Sequence, residues 1–162
     1  MMKFYDTSSL LLLQHFNEPI ILSSITLIEL EEIKTSPRKD EEVRAAARNV
    51  LRLLNNGTIK HEVIIYNSMM LDKIVSTGIE INNDAKILAT ALYYERTYAP
   101  RNMLFITNDL AQKAIAGLFF DKSSIQSVVP DADNYTGYLD LTFDDEALTH
   151  LYEHLDENYC GL

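Results

Sequence analysis

An α/β domain with a mainly parallel central sheet is what this sequence predicts, on three observations. Short apolar runs at Lys3–Tyr5, Ile20–Leu22, Val63–Tyr66, Met103–Ile106 and Ile125–Val129 read as strands. Longer stretches with helical periodicity separate them, the order expected of parallel strands joined by helical crossovers. The 162 residues are 47% hydrophobic, enough for one globular domain with an ordinary core. A single domain is therefore expected over 1–162, with 131–162 as a C-terminal loop–strand–helix extension.

Taken in order, the first strand ends at Asp6, and Thr7-Ser8-Ser9 can cap a helix running through Leu10–Leu13 to Phe16. Asn17-Glu18-Pro19 breaks that helix, and the second strand follows. Ser23-Ser24 cap a helix from Ile25 to about Lys34. Glu29 shares its apolar stripe with Ile25 and Ile33, an expensive position for a carboxylate unless something charged compensates it. Thr35–Lys39 is a loop around Pro37. From Asp40 to Leu54 the pattern is clearly amphipathic, with Val43, Ala47, Val50, Leu51 and Leu54 facing inward. Arg44, Arg48 and Arg52 make a basic stripe on another face, open to two readings: a solvated face partly paired through Asp40, or a contact for phosphate. Asn55-Asn56-Gly57 closes the helix.

Beyond the third strand, Met69–Val75 reads as a helix ended near Gly78. Asn82 or Asn83 caps the next helix, which buries Ile87, Leu88, Ala91 and Leu92 and stops before Pro100. Asp84 falls in its first turn, where alone it would do no more than offset the helix dipole, worth roughly 0.3–1 kcal/mol. The strand Met103–Ile106 leads into Thr107-Asn108-Asp109 and a helix Leu110–Leu118. After the last core strand come a polar loop from Asp131 to Tyr138, a strand-like Leu139–Phe143 and a helix from about Asp145 to Leu155.

The totals exclude several classes. No apolar run is long enough to span a membrane, MMKFYD enters a strand without a secretory leader, and the single cysteine, Cys160, cannot staple the fold. The expected compartment is the cytoplasm. A net charge of −10 argues against a broad basic surface for nucleic acid, yet it suits a carboxylate site for a cation.

Four acids point to such a site. In an open parallel sheet, ligands collect beyond the carboxyl ends of the strands. Asp6 and Asp109 each occupy such a junction, the first turn bearing Asp84 can reach it, and Glu29 can project inward from the second helix. Carboxylates gathered there would repel and hold protons. Mg²⁺ or Mn²⁺ reverses the balance, because hard cations prefer oxygen ligands completed by water. Such a centre can polarise a phosphodiester and activate water.

The segments KFYDTSSLL, SSITLIELEEI, NNDAKILATAL and LFITNDLAQKA, in this order over residues 3–129, resemble the PIN domain family of metal-dependent nucleases. Asp6, Glu29, Asp84 and Asp109 fall on the family's four acidic positions. Lys34, the Ala47-Arg48 pair and Asn134-Tyr135-Thr136-Gly137-Tyr138 are similar to the PIN domain that precedes PhoH-type ATPases. No G-x-x-x-x-G-K-[ST] is present, so the ATPase half is absent from this chain.

The resemblance implies a Rossmann-like α/β/α sandwich and hydrolysis of single-stranded RNA, leaving 5′-phosphate and 3′-hydroxyl ends. It implies that Asp6, Asp84 and Asp109 ligate one or two divalent ions. Glu29 would bind a coordinated water or orient the nucleophile, and Thr107 or Ser8 would hold a carboxylate or phosphate. Arg48 and Lys34 are candidates for the RNA backbone. A homodimer, an antitoxin or another partner with a basic surface fits the same picture. The alternative is a PIN-like module that binds metal, RNA or protein without cutting.

Other features carry ordinary readings. His150 and His154 form a surface pair at i,i+4 with no third ligand type nearby. Tyr135 and Tyr138 suit loop anchoring better than base stacking, and Asp131 and Asp133 suit a turn.

Overall fold

A computed structural model describes residues 1–13 and 15–128. The expected loop, strand and helix of 131–155, with Tyr135, Tyr138, His150 and His154, lie outside the described residues, as does Val129.

Five strands form one sheet, β1 (Met2–Tyr5), β2 (Ile20–Ser23), β3 (His61–Ile64), β4 (Met103–Ile106) and β5 (Ile125–Gln126), in the order β3-β2-β1-β4-β5. Every neighbouring pair is parallel. Strand residues alternate between two cores, as the period of two requires. Phe4, Ile21 and Phe105 join one cluster with α4 (Asp72–Val75), α5 (Asn83–Tyr98) and Ala116 of α6 (Leu110–Ala116). Tyr5, Ile20, Leu22 and Ile106 join the other with α1 (Thr7–Leu12), α2 (Ser24–Thr35) and α3 (Glu41–Asn55). The chain is thus an α/β/α sandwich, as the sequence predicts. Among the described residues no helix is long and apolar enough to cross a membrane.

The strand order creates a reversal. From β1 the chain moves outward through β2 to β3, then returns across both to lay β4 on the other side of β1. The crevice beyond the carboxyl ends of β1 and β4 is therefore the topological switch point, where ligands bind in open sheets of this kind.

Local boundaries differ from expectation in instructive ways. The cap of α1 is Asp6 itself, whose side chain accepts from the Ser9 amide, so Thr7-Ser8-Ser9 lie inside the helix and are buried. Aspartate caps as well as serine does, and sequence alone leaves the choice open. Strand β3 begins two residues earlier than predicted, because pairing with Ile20–Ser23 sets its register. Tyr66 instead donates its amide to Ser24 Oγ at 2.9 Å. The segment read as a helix over Met69–Val75 starts as a 3-10 turn, Ser68–Leu71, capped by Asn67. Strand β5 is short because the Asn108 side chain takes over its last ladder positions. Val128 N donates to Asn108 Oδ1 at 2.8 Å, and Asn108 Nδ2 donates to Val128 O at 3.2 Å.

Ser9 ties α1 to the sheet. Its hydroxyl is fully buried and lies 2.9 Å from the carbonyls of both Asp6 and Ile106. Ser9→Ala should lower unfolding free energy by about 1 kcal/mol in urea titration, the net worth of one hydrogen bond, since the Asp6 and Ile106 carbonyls keep the Leu10 and Asp6 amides as donors. An unchanged midpoint would show that this bond contributes nothing.

Candidate functional site

At the switch point, Asp6 stands at the end of β1 and Asp109 three residues beyond β4. Asp6 is 3% exposed and both its carboxyl oxygens face donors: Oδ1 accepts from Ser8 Oγ at 2.8 Å and the Ser9 amide at 2.9 Å, and Oδ2 accepts from Thr107 Oγ1 at 2.5 Å. Asp109 caps α6, its Oδ1 accepting from the amides of Ala111 at 2.9 Å and Gln112 at 3.3 Å. Thr107 joins the two acids, because the same hydroxyl oxygen accepts from the Asp109 amide at 3.1 Å. Ser8 makes a second link, accepting from the Asn108 amide at 3.2 Å. The residue types T-N-D are thus needed together: hydroxyl for Asp6, amide for the edge strand, carboxylate for the helix.

Glu29 is 1% exposed on α2. Its Oε1 accepts from Thr7 Oγ1 at 2.5 Å and its Oε2 from Asn83 Nδ2 at 3.4 Å. Burial pushes its carboxyl up to about 8, with the negative fields of Asp84 and Asp6 raising it further and the Thr7 and Asn83 bonds opposing. Burial likewise pushes Asp6 up to about 6, against the bonds from Thr107, Ser9 and Ser8. Asp84 is half-buried in the first turn of α5, whose cap is Asn82. That Glu29 feels both Asp84 and Asp6 ties α2, α5 and the end of β1 into one electrostatic neighbourhood.

The acids do not form a ready cage. Among the described residues no three His, Cys, Asp or Glu side chains are grouped to hold a metal ion. The expectation of four converging carboxylates thus resolves into Asp6 and Asp109 linked by Thr107, and Glu29 within the fields of Asp84 and Asp6. Burial favours this arrangement, with the oxygens of Asp6 and Glu29 and Oδ1 of Asp109 turned to hydroxyls and amides. The donor set itself suits a hard cation: it is all oxygen, and the fields of Asp84 and Asp6 on Glu29 have the sign that a cation relieves.

Arg48 and Lys34 are engaged on the outer helices. Glu41 accepts from Arg48 Nη2 and pairs with Arg44 at 2.8 Å, while Lys34 Nζ lies 2.6 Å from Glu31. Within the basic stripe of α3, Glu41 thus serves both Arg44 and Arg48, while Arg52 donates to Asn49 Oδ1 at 2.7 Å.

Two residues of this neighbourhood escape sequence reasoning. Thr7 reads as a cap but grips Glu29. Gln112, buried on α6, donates from Nε2 to the Asp84 carbonyl at 2.8 Å and so joins the helix of Asp109 to that of Asp84. Asp109 and Gln112 do have capping-box spacing, which would predict a local bond back to the cap. Its Oε1 has no hydrogen-bond partner among the described residues.

Residues 4–118 match the family model described as PIN domain. The chain belongs to the PIN domain family. Neither a curated protein nor a solved structure matches it significantly. The matched span contains Asp6, Glu29, Asp84 and Asp109. Membership supports a general role in nuclease action or RNA binding, in a family whose members often depend on metal and associate with RNA and protein partners.

Proposed function

We propose that this PIN domain is a divalent-metal-dependent endoribonuclease that hydrolyses phosphodiester bonds of single-stranded RNA. The observation that carries the reading is the joining of Asp6 to Asp109 through Thr107 at the switch point, with Glu29 in the field of Asp84 and Asp6. Asp6, Asp84 and Asp109 would hold Mg²⁺ or Mn²⁺. Mg²⁺ keeps several waters and needs only one or two carboxylates, so a three-ligand cage is no requirement. The bound ion supplies Lewis acidity toward a phosphoryl oxygen and acidity to water. Glu29 would bind a metal-coordinated water or orient the attacking nucleophile. Ser8 and Thr107 fix the Asp6 carboxylate and stand beside the path of the phosphate. Arg48 and Lys34 would meet the RNA backbone by exchanging their glutamate partners for phosphate. Products would carry 5′-phosphate and 3′-hydroxyl ends.

The subgroup we assign is the PIN domain that precedes PhoH-type ATPases, on Lys34, Ala47-Arg48 and the Asn134–Tyr138 run. A cytoplasmic setting, a homodimer, and an antitoxin or another basic partner belong to the same proposal, as does one domain over 1–162. A second reading, a PIN-like module that binds metal, RNA or protein without cutting, is favoured by the net charge of −10, which argues against a broad basic surface for RNA.

Incubation of the purified protein with labelled single-stranded RNA and Mn²⁺, beside Asp84→Asn, separates them. Cleavage should fall on the order of 10²–10³-fold in the variant, as for loss of one preorganised transition-state contact. Stability should fall by no more than roughly 1 kcal/mol, the worth of a first-turn carboxylate. Equal cutting by both proteins would expose a contaminant, and cutting by neither would favour the binding module.

A further inference from the structure

The net charge is not spread evenly along the chain. All 14 lysines and arginines lie within residues 1–128, against 15 acids there, while the remaining nine acids fall between Asp131 and Glu157. The domain bearing the candidate site is therefore close to neutral, and the tail carries almost the whole of the −10. Within that tail Ala147, Leu148, Leu151, Tyr152 and Leu155 recur at the spacing of one helix face, flanked by Asp144, Asp145 and Glu146 before and Glu153, Asp156 and Glu157 after.

A surface of complementary character lies beside the last described strand. Leu110, Ala114, Gly117, Leu118 and Ile125 line a groove of about 500 Å³ between α6 and β5, with Lys113 and Lys122 at its sides. Leu110 is 79% and Leu118 67% exposed, among the most exposed large apolar residues described. Lys113 Nζ donates to Ser127 Oγ at 2.7 Å, a neutral partner that leaves its charge available. Exposed leucines and two lysines thus line one groove.

We propose that this groove is the docking site of the chain's own acidic tail, residues 144–157. Apolar side chains of the tail face would fill the space between Leu110 and Leu118, in the manner of an amphipathic helix in a groove. Its flanking carboxylates would face Lys113 and Lys122. Reach is ample: about 16 residues separate Val128 from Asp145, and each spans at most roughly 3.3–3.6 Å. Attachment makes the encounter intramolecular, which favours the tail over a second copy at ordinary concentrations. The inference does not depend on the nuclease reading, and its test uses no RNA.

The chain's one cysteine, Cys160, stands five residues beyond Leu155 and offers a direct handle. The full-length protein is labelled there with a maleimide–diazirine photo-crosslinker, irradiated and mapped by mass spectrometry. Crosslinks should fall within one molecule and concentrate on residues 110–125. Their yield in a doubly substituted protein, L118E with K122E, should drop about tenfold or more, as loss of a buried leucine with attraction turned to repulsion requires. Both substitutions are at exposed positions, and the wild-type map decides the question by itself should the variant misfold. Crosslinks scattered over the surface, crosslinks centred on α2 and α3, or a predominance of crosslinks between two copies would each overturn the proposal.

Discussion

Glu29→Gln should stabilise the metal-free protein at pH 8 by on the order of 3–5 kcal/mol, and by almost nothing at pH 4. The carboxyl has a folded value of about 8 against an ordinary 4.5, and each unit of difference is worth about 1.4 kcal/mol. Below 4.5 the group is protonated in both states and imposes no penalty. Between 4.5 and 8 the unfolded chain releases its proton while the folded one keeps it, so stability falls as pH rises; above 8 the loss is complete. Asp6 adds a smaller decline of the same sign between 3.8 and about 6. Glutamine has no charge to bury and still offers an oxygen to Thr7. Urea denaturation of both proteins at pH 4 and pH 8 reads the difference. A gap that is the same at both pH values, or a variant weaker at pH 8, would refute the account of Glu29. RNA cleavage should be lost in the same variant, so a gain in stability would accompany a loss of activity.

The second large effect is expected in the sheet. Phe105 is fully buried on β4, stacked on Phe120 at 5.9 Å between ring centroids and tilted against Phe4 at 6.2 Å. Phe105→Ala should cost about 3–5 kcal/mol, the range for emptying an aromatic site in a core that cannot fully collapse. Tyr98 is 63% exposed at the end of α5 and contacts the exposed Tyr93 and the buried Tyr94. Tyr98→Ala should therefore cost less than roughly 1 kcal/mol. Urea midpoints at unchanged slope would check both, and a similar cost for the two would mean that burial does not govern stability here.

The fold was legible because its signal is local. The five apolar runs read as strands within the described residues each became a strand at least in part, and the inward face expected for α3 is the buried one, Val43, Ala47, Val50, Leu51 and Leu54. Boundaries set by distant partners were not legible. Nothing in Val63–Tyr66 announces that β2 will pair two residues earlier, and nothing in Asn108 announces that its amide will stand in for a strand neighbour. The same holds at the site. The four acids could be picked out as carboxylates in awkward places, whereas Thr7 and Gln112 do their work through bonds to residues 22 and 28 positions away. Hydroxyls and amides at helix starts have so many local uses that their long-range ones leave no trace in the sequence.

The hydrogen bond from Thr107 to Asp6 joins positions 101 apart. During synthesis the amino-terminal aspartate leaves the ribosome long before its hydroxyl partner is made, and β1 must wait for β4 to settle beside it. A nascent chain short of that point lacks half of the crevice. The crevice therefore cannot be complete until Thr107 and Asp109 have been made and have settled against Asp6.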